Sequence, residues 1–140
     1  MKRLIYLLPL LVTLAGCFNN NNQPVPEPSG SYTGEFRRVS REKNATTIDT
    51  VKTNLTVVIE PGVGYHVLGD TTTVHAGSKG HYGINSSSML FMDSTYPKTG
   101  VPVKNHLNGE YLYIYDGKIL QMVRNSGDTL SLQYDLKKAN

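Results

Sequence analysis

From Tyr111 to Leu136 three strand-like runs follow one another, parted only by Asp116-Gly117 and Asn125-Ser126-Gly127, and the last, Thr129–Leu136, alternates apolar and polar residues with a period of two. Successive side chains of a strand point to opposite faces, so three such runs in a row require an antiparallel meander. Asp116-Gly117 suits a two-residue type I′ turn between Tyr111–Tyr115 and Lys118–Arg124. That turn pairs Tyr113 with Leu120 and Tyr111 with Met122. A three-residue loop at 125–127, with Gly127 left-handed, then brings Leu130 and Leu132 to the same face; an even-length loop would send them to the Leu112/Ile114 face. Glycine at the third loop position favours the first register. Tyr111, Tyr113, Leu120, Met122, Leu130 and Leu132 are therefore predicted to point inward.

The same rhythm recurs upstream in shorter runs. Tyr32–Val39 places Tyr32, Gly34 and Phe36 on one side, and Lys52–Glu60 places Leu55, Val57 and Ile59 on one face before Pro61-Gly62. Tyr65–Leu68 and Thr71–His75 read as a hairpin around Gly69-Asp70. His81–Ile84 and Met89–Asp93 follow, joined by polar residues 85–88. No stretch carries an apolar stripe at helical spacing. About eight strands at this spacing predict an all-β chain: one small up-and-down antiparallel β-barrel.

The N-terminal segment has different chemistry. Lys2 and Arg3 precede an apolar run from Leu4 to Ala15, shorter than the ~20 residues of a spanning helix and suited to a secretory signal. Residues 19–29 (NNNNQPVPEPS) have no periodicity and three prolines, the composition of an extended spacer. The chain thus divides into a signal peptide (1–16), a tether (17–29) and a barrel domain (30–140). Lys and Arg total 14 against 11 Asp and Glu. Two of those cations sit in the signal, so the rest is nearly balanced and gives no reason to expect a nucleic-acid partner. The single cysteine cannot form an internal disulfide.

Leu14-Ala15-Gly16-Cys17 resembles the lipobox of bacterial lipoproteins. The resemblance implies cleavage before Cys17 and lipidation of its thiol. Each buried CH₂ contributes ~0.8 kcal/mol, so two or more acyl chains would hold the protein on a membrane. Phe18 stands where an Asp would imply inner-membrane retention, which implies the outer membrane of a Gram-negative bacterium, facing the periplasm.

Residues 30–36 (GSYTGEF), the stretch from Asn108-Gly109-Glu110-Tyr111 through Asp116-Gly117, and the closing Tyr134-Asp135-Leu136-Lys137-Lys138 resemble the small lipocalin-like lipoproteins of those bacteria. Tyr32 replaces the tryptophan of the lipocalin Gly-x-Trp motif, and no helix pattern follows the final strand. The resemblance implies a lipocalin-like barrel able to hold a small hydrophobic molecule.

Reaction chemistry is not apparent. The four histidines lack finger or zincin spacing, so no metal or other cofactor is expected. No Gly-x-Ser-x-Gly elbow occurs, and Glu35, Glu42 and Glu60 form no assignable acid–base pair. Asp49-Thr50-Val51, Asp70-Thr71-Thr72, Asp93-Ser94-Thr95 and Asp128-Thr129-Leu130 resemble a bacterial O-glycosylation acceptor, but three lie where turns are predicted.

The expectation is a non-catalytic membrane-anchored lipoprotein that binds a small hydrophobic ligand among the six inward residues. The alternative is a protein-interaction module, such as a periplasmic enzyme inhibitor or envelope-assembly accessory. It would have a filled barrel and use loops such as Gly77–Gly80 or Asp93–Val103.

Overall fold

The computed structural model describes residues 26–69 and 71–140. Cys17, with the predicted signal segment and most of the tether, lies outside the described residues. Eight strands follow in order: β1 (Gly30–Ser40), β2 (Asp49–Glu60), β3 (Gly64–Gly69), β4 (Lys79–Ile84), β5 (Ser88–Asp93), β6 (Gly109–Tyr115), β7 (Ile119–Ser126) and β8 (Leu130–Lys138). Each pairs antiparallel with the next, and β1 pairs with β8 to close the barrel. This is the all-β up-and-down barrel that the alternation predicts; the described residues contain no helix.

Two registers differ from the predicted ones, each by a shift along the strands. Tyr113 pairs with Met122 and Tyr115 with Leu120. Asp116 causes the shift: its Oδ1 accepts the N–H groups of Lys118 at 2.8 Å and Ile119 at 2.7 Å, centring the turn on Gly117-Lys118. Gly117 has φ +96° and Lys118 does not have positive φ, as a type II′ turn requires rather than type I′. Between β7 and β8, Ser126 pairs with Leu130, so the loop is Gly127-Asp128-Thr129 and left-handed Gly127 opens it. Both shifts are even, so every predicted inward residue keeps its face.

The predicted strand over 71–75 does not form. Val67 N donates to Ser78 O at 2.8 Å, continuing the contact between β3 and β4. Residues 71–74 turn instead, and His75 makes a parallel bridge with Asn105.

Aromatic rings cross the barrel interior in a continuous chain. Tyr65 meets Phe91 at 4.8 Å between centroids, Phe91 meets Tyr111 at 5.8 Å, and Tyr111 meets Tyr134 at 5.6 Å. Tyr134 then meets Phe36 at 4.9 Å, and Phe36 meets the His75 ring at 4.9 Å. Most of these contacts are near-perpendicular, the edge-to-face geometry that aromatic quadrupoles favour. Leu55, Val57, Ile59, Met89, Leu107, Leu120 and Leu136 fill the space around them. Closing so small a barrel needs bends where strands nearly touch. At Gly34 on β1, an added Cβ would lie 2.0 Å from the Asp135 carbonyl oxygen of β8.

The two ends of the barrel differ. One, the floor, carries the short turns 61–63, 85–87 and 116–118. Residues 26–29 lie against it, with Pro28 buried and Tyr82 Oη donating to Glu27 Oε1 at 2.7 Å. There Ser29 N donates to Tyr32 Oη at 3.0 Å, Tyr32 Oη to Tyr115 Oη at 2.9 Å, and Tyr115 Oη to Gly117 O at 3.1 Å. The other end, the mouth, carries the long connections 41–48, 70–78 and 94–108.

The outer walls differ too. Over β2, β1, β8 and β7 runs a polar ladder: Lys52 and Arg37 flank Glu35, Arg37 bonds Asp135, and Gln121 bonds Asp135. Over β5 and β6, Leu90, Met92, Leu112 and Ile114 face solvent.

Candidate functional site

Strand alternation carries charge into the mouth. On β1 the inward series Tyr32, Phe36 continues to Arg38, and on β7 the series Leu120, Met122 continues to Arg124. Both arginines are cross-strand partners of one residue, Leu132 of β8. Adjacent strands lie ~4.8 Å apart, so the two arginines start about 10 Å from each other across Leu132.

With loop 94–108 these residues enclose a cleft of about 540 Å³. Its apolar lining is Val101, Pro102, Val103, Leu130 and Leu132; its cations are Arg38, Lys104 and Arg124, with His106 beside them. Among the described residues no Asp or Glu lines it. Val101 and Val103 are almost fully exposed, at 90% and 99%.

Each basic side chain is held in place. The Arg124 guanidinium lies over Gly109, where an added Cβ would come within 2.6 Å of Nη1, and Nη1 donates to the Asn108 carbonyl. Lys104 Nζ donates to the Thr71 carbonyl at 2.9 Å. Arg38 reaches the exposed carboxylate of Asp49 at 3.3 Å, while its buried Nε has no hydrogen-bond partner among the described residues.

The cleft's loop is fastened at Asp93. Its Oδ1 accepts from Thr95 N at 2.7 Å and Thr95 Oγ1 at 2.6 Å, and His106 Nδ1 donates to Oδ2 at 2.7 Å. Burial works to raise this carboxyl's pKa, but the bonds from Thr95, His106 and Ser78 outweigh it and hold the group below its ordinary value. The Asp93-Ser94-Thr95 tripeptide is thus a turn held by its own side chain. Tyr96 packs edge-on against His106 at 5.2 Å.

Further down, His75 is fully buried. Its Nδ1–H donates to Ala76 O at 2.5 Å, and Nε2 accepts from Tyr134 Oη at 2.8 Å, which fixes the neutral tautomer. Burial is the main cause that lowers its pKa to about 4. Burial pushes the Tyr134 and Tyr111 phenols up, so both stay protonated.

The six predicted inward residues fall into three groups. Leu130 and Leu132 line the cleft. Tyr111, Leu120 and Met122 are buried in the core below it. Tyr113 is half-buried near the floor, its hydroxyl donating to Asn85 O at 2.9 Å. Among the described residues no three His, Cys, Asp or Glu side chains come together as a metal site. Sequence reading missed Arg38, Lys104 and Arg124. The first and last carried a signal, because each continues an inward-facing series by one more step of two.

The molecule is a small eight-stranded meander barrel with an aromatic interior and a cationic mouth. The chain matches no protein-family model, and comparisons with curated proteins and with solved structures give no significant match.

Proposed function

We propose that this chain is a membrane-anchored, non-catalytic binding protein that takes its ligand at the barrel mouth rather than deep inside the barrel. The observation that carries the reading is the aromatic chain from Tyr65 to His75. Rings in edge contact occupy the axis where a hydrophobic ligand would otherwise lie, whereas the mouth holds a cleft with pinned side chains and exposed apolar rim residues. Of the six residues predicted to meet ligand, Leu130 and Leu132 keep that role here, and the others serve as packing. Anchoring rests on the lipobox resemblance at Cys17, and the outer-membrane, periplasm-facing address rests on Phe18. Residues 26–29 join the barrel at its floor, so a tether leaving there directs the mouth away from the membrane.

A second reading, a protein-interaction module, is favoured by the exposure of Val101 and Val103 on loop 94–108. Native mass spectra of the purified full chain, before and after denaturation, separate the two. Mouth binding predicts an extra small-molecule mass that Leu130→Asp removes and Tyr113→Phe keeps. A mass lost only with Tyr113→Phe returns the ligand to the interior, and a clean apo mass favours a protein partner. Labelled palmitate should enter the wild type and not Cys17→Ser; equal labelling refutes the anchor.

A further inference from the structure

The cations of the mouth are held by unlike partners, and that difference has chemical consequences. A cation fixed by a carboxylate is neutralised; one fixed by a peptide carbonyl is oriented but keeps its charge. Arg124 is pinned by the Asn108 carbonyl and Lys104 by the Thr71 carbonyl, and neither makes an ion pair among the described residues. Arg38 faces a carboxylate that is mostly in water, so that pair is weak, and its inner Nε is unbonded. His106 is engaged by Asp93. Three positive groups therefore converge on a cleft whose lining has no carboxylate.

Gly109 makes this arrangement possible. Its φ of +91° and missing Cβ give the Arg124 guanidinium a flat seat against the backbone. Nη1 is used by Asn108 and the guanidinium also bonds the Tyr111 hydroxyl, which leaves the other N–H donors of the five-donor fork for another acceptor. Between the arginines lies Leu132, and Leu130, Val101 and Val103 continue an apolar surface toward the rim. Charge alone would suit a free inorganic anion. Charge beside an aliphatic wall suits a molecule with both parts.

We infer that the mouth is a binding site for an amphipathic anion, its carboxylate or phosphate head on Arg38, Arg124 and Lys104 and its apolar body along Leu130, Leu132, Val101 and Val103. This deepens the mouth-binding reading and rests on it. Arginine forks match both head groups in bidentate geometry, which is the shared chemistry of the two.

The test is calorimetric titration of the full chain in phosphatidylcholine nanodiscs with hexyl phosphate, hexanoate, inorganic phosphate and hexanol. At least one of the two amphiphilic anions should bind, inorganic phosphate more weakly and hexanol not measurably. Arg38→Gln and Arg124→Gln should each weaken the anion by about tenfold or more, the loss expected for a charged hydrogen bond. Arg124→Lys should recover part of it, and circular dichroism with thermal melting checks that each variant is folded. Equal affinity for inorganic phosphate overturns the amphipathic class, and hexanol binding as tightly as hexyl phosphate overturns the anionic one. Binding by neither anion, or binding that ignores both arginine variants, overturns the site. The mouth reading fails separately, if the native-spectrum ligand survives Leu130→Asp.

Discussion

Acidification should destabilise this barrel through one buried side chain, His75. Neutral His75 fits its surroundings as a donor to Ala76 O and an acceptor from Tyr134, with the Phe36 ring 4.9 Å away. Burial lowers its pKa from 6.5 to about 4, the desolvation outweighing the help a cation would gain from the Ala76 carbonyl and from Asp93. The unfolded chain therefore binds a proton that the folded chain refuses, and stability rises with pH across this window. The contribution is complete above the unfolded value and is lost as pH falls toward the folded one. At 1.36 kcal/mol per pKa unit, about 2 kcal/mol should be gone by pH ~5 and about 3 kcal/mol by pH ~4. For a domain of this size that is a large share of total stability. The assay is urea unfolding at several pH values from ~7 to ~4, reading the midpoint at constant slope. His75→Gln, which cannot titrate, should be weaker at neutral pH but should lose distinctly less on acidification. A wild-type midpoint that stays flat across the window, or a His75→Gln variant that keeps the whole wild-type slope, would falsify the account.

Two further outcomes follow from the geometry. Gly34→Ala puts a methyl group 2.0 Å from the Asp135 carbonyl oxygen, a backbone atom that cannot swing aside. The β1–β8 seam must shift, and thermal melting should show a loss of roughly 2 kcal/mol or more; an unchanged melting temperature refutes the close approach. Asp93→Asn removes the charge that fastens loop 94–108 to the end of β5 through His106. Because the Asp93 pKa is depressed, its stabilisation is full above 3.8 and fades as pH falls through the folded value, below the His75 window. Limited proteolysis at neutral pH should cut that loop faster in Asp93→Asn, and equal rates would show that Asp93 does not hold it.

The faces of the strands were legible because alternation is a parity signal. Tyr32, Phe36, Leu55, Val57, Ile59, Tyr111, Leu120 and Met122 all lie inside, as the period of two requires. The registers were harder, since they depend on which turn residue captures which N–H. At Asp116 a side-chain acceptor moved the turn by one residue, and nothing in the alternation encodes that. Thr71–His75 has strand-like composition, but the backbone of Val67 reached past it to Ser78. The cleft was half legible. Arg38 and Arg124 follow from extending two inward series, whereas Lys104 sits on a long loop whose path is set by bonds to residues 71–78. Such contacts between distant loops have no periodic trace in sequence.

The seam between β1 and β8 also governs how the barrel comes together and how it comes apart. It joins the two strands furthest apart in the chain; its partners Arg37 and Asp135 are 98 residues from each other. Closing so long a loop costs entropy before any ladder bond repays it, which places this topology among slow folders, on a scale of roughly milliseconds to seconds. Until the seam forms, β1 and β8 are two bare edges open to pairing with another chain. Once formed, it has its free ends together on the floor, where Ala139 N donates to Ser31 O at 2.8 Å. A pull on the chain ahead of β1, against the end of β8, would load these bonds one at a time rather than all together. The seam should unzip from the Tyr32–Lys138 pair toward Ser40–Leu130, each step breaking only the bonds nearest the floor.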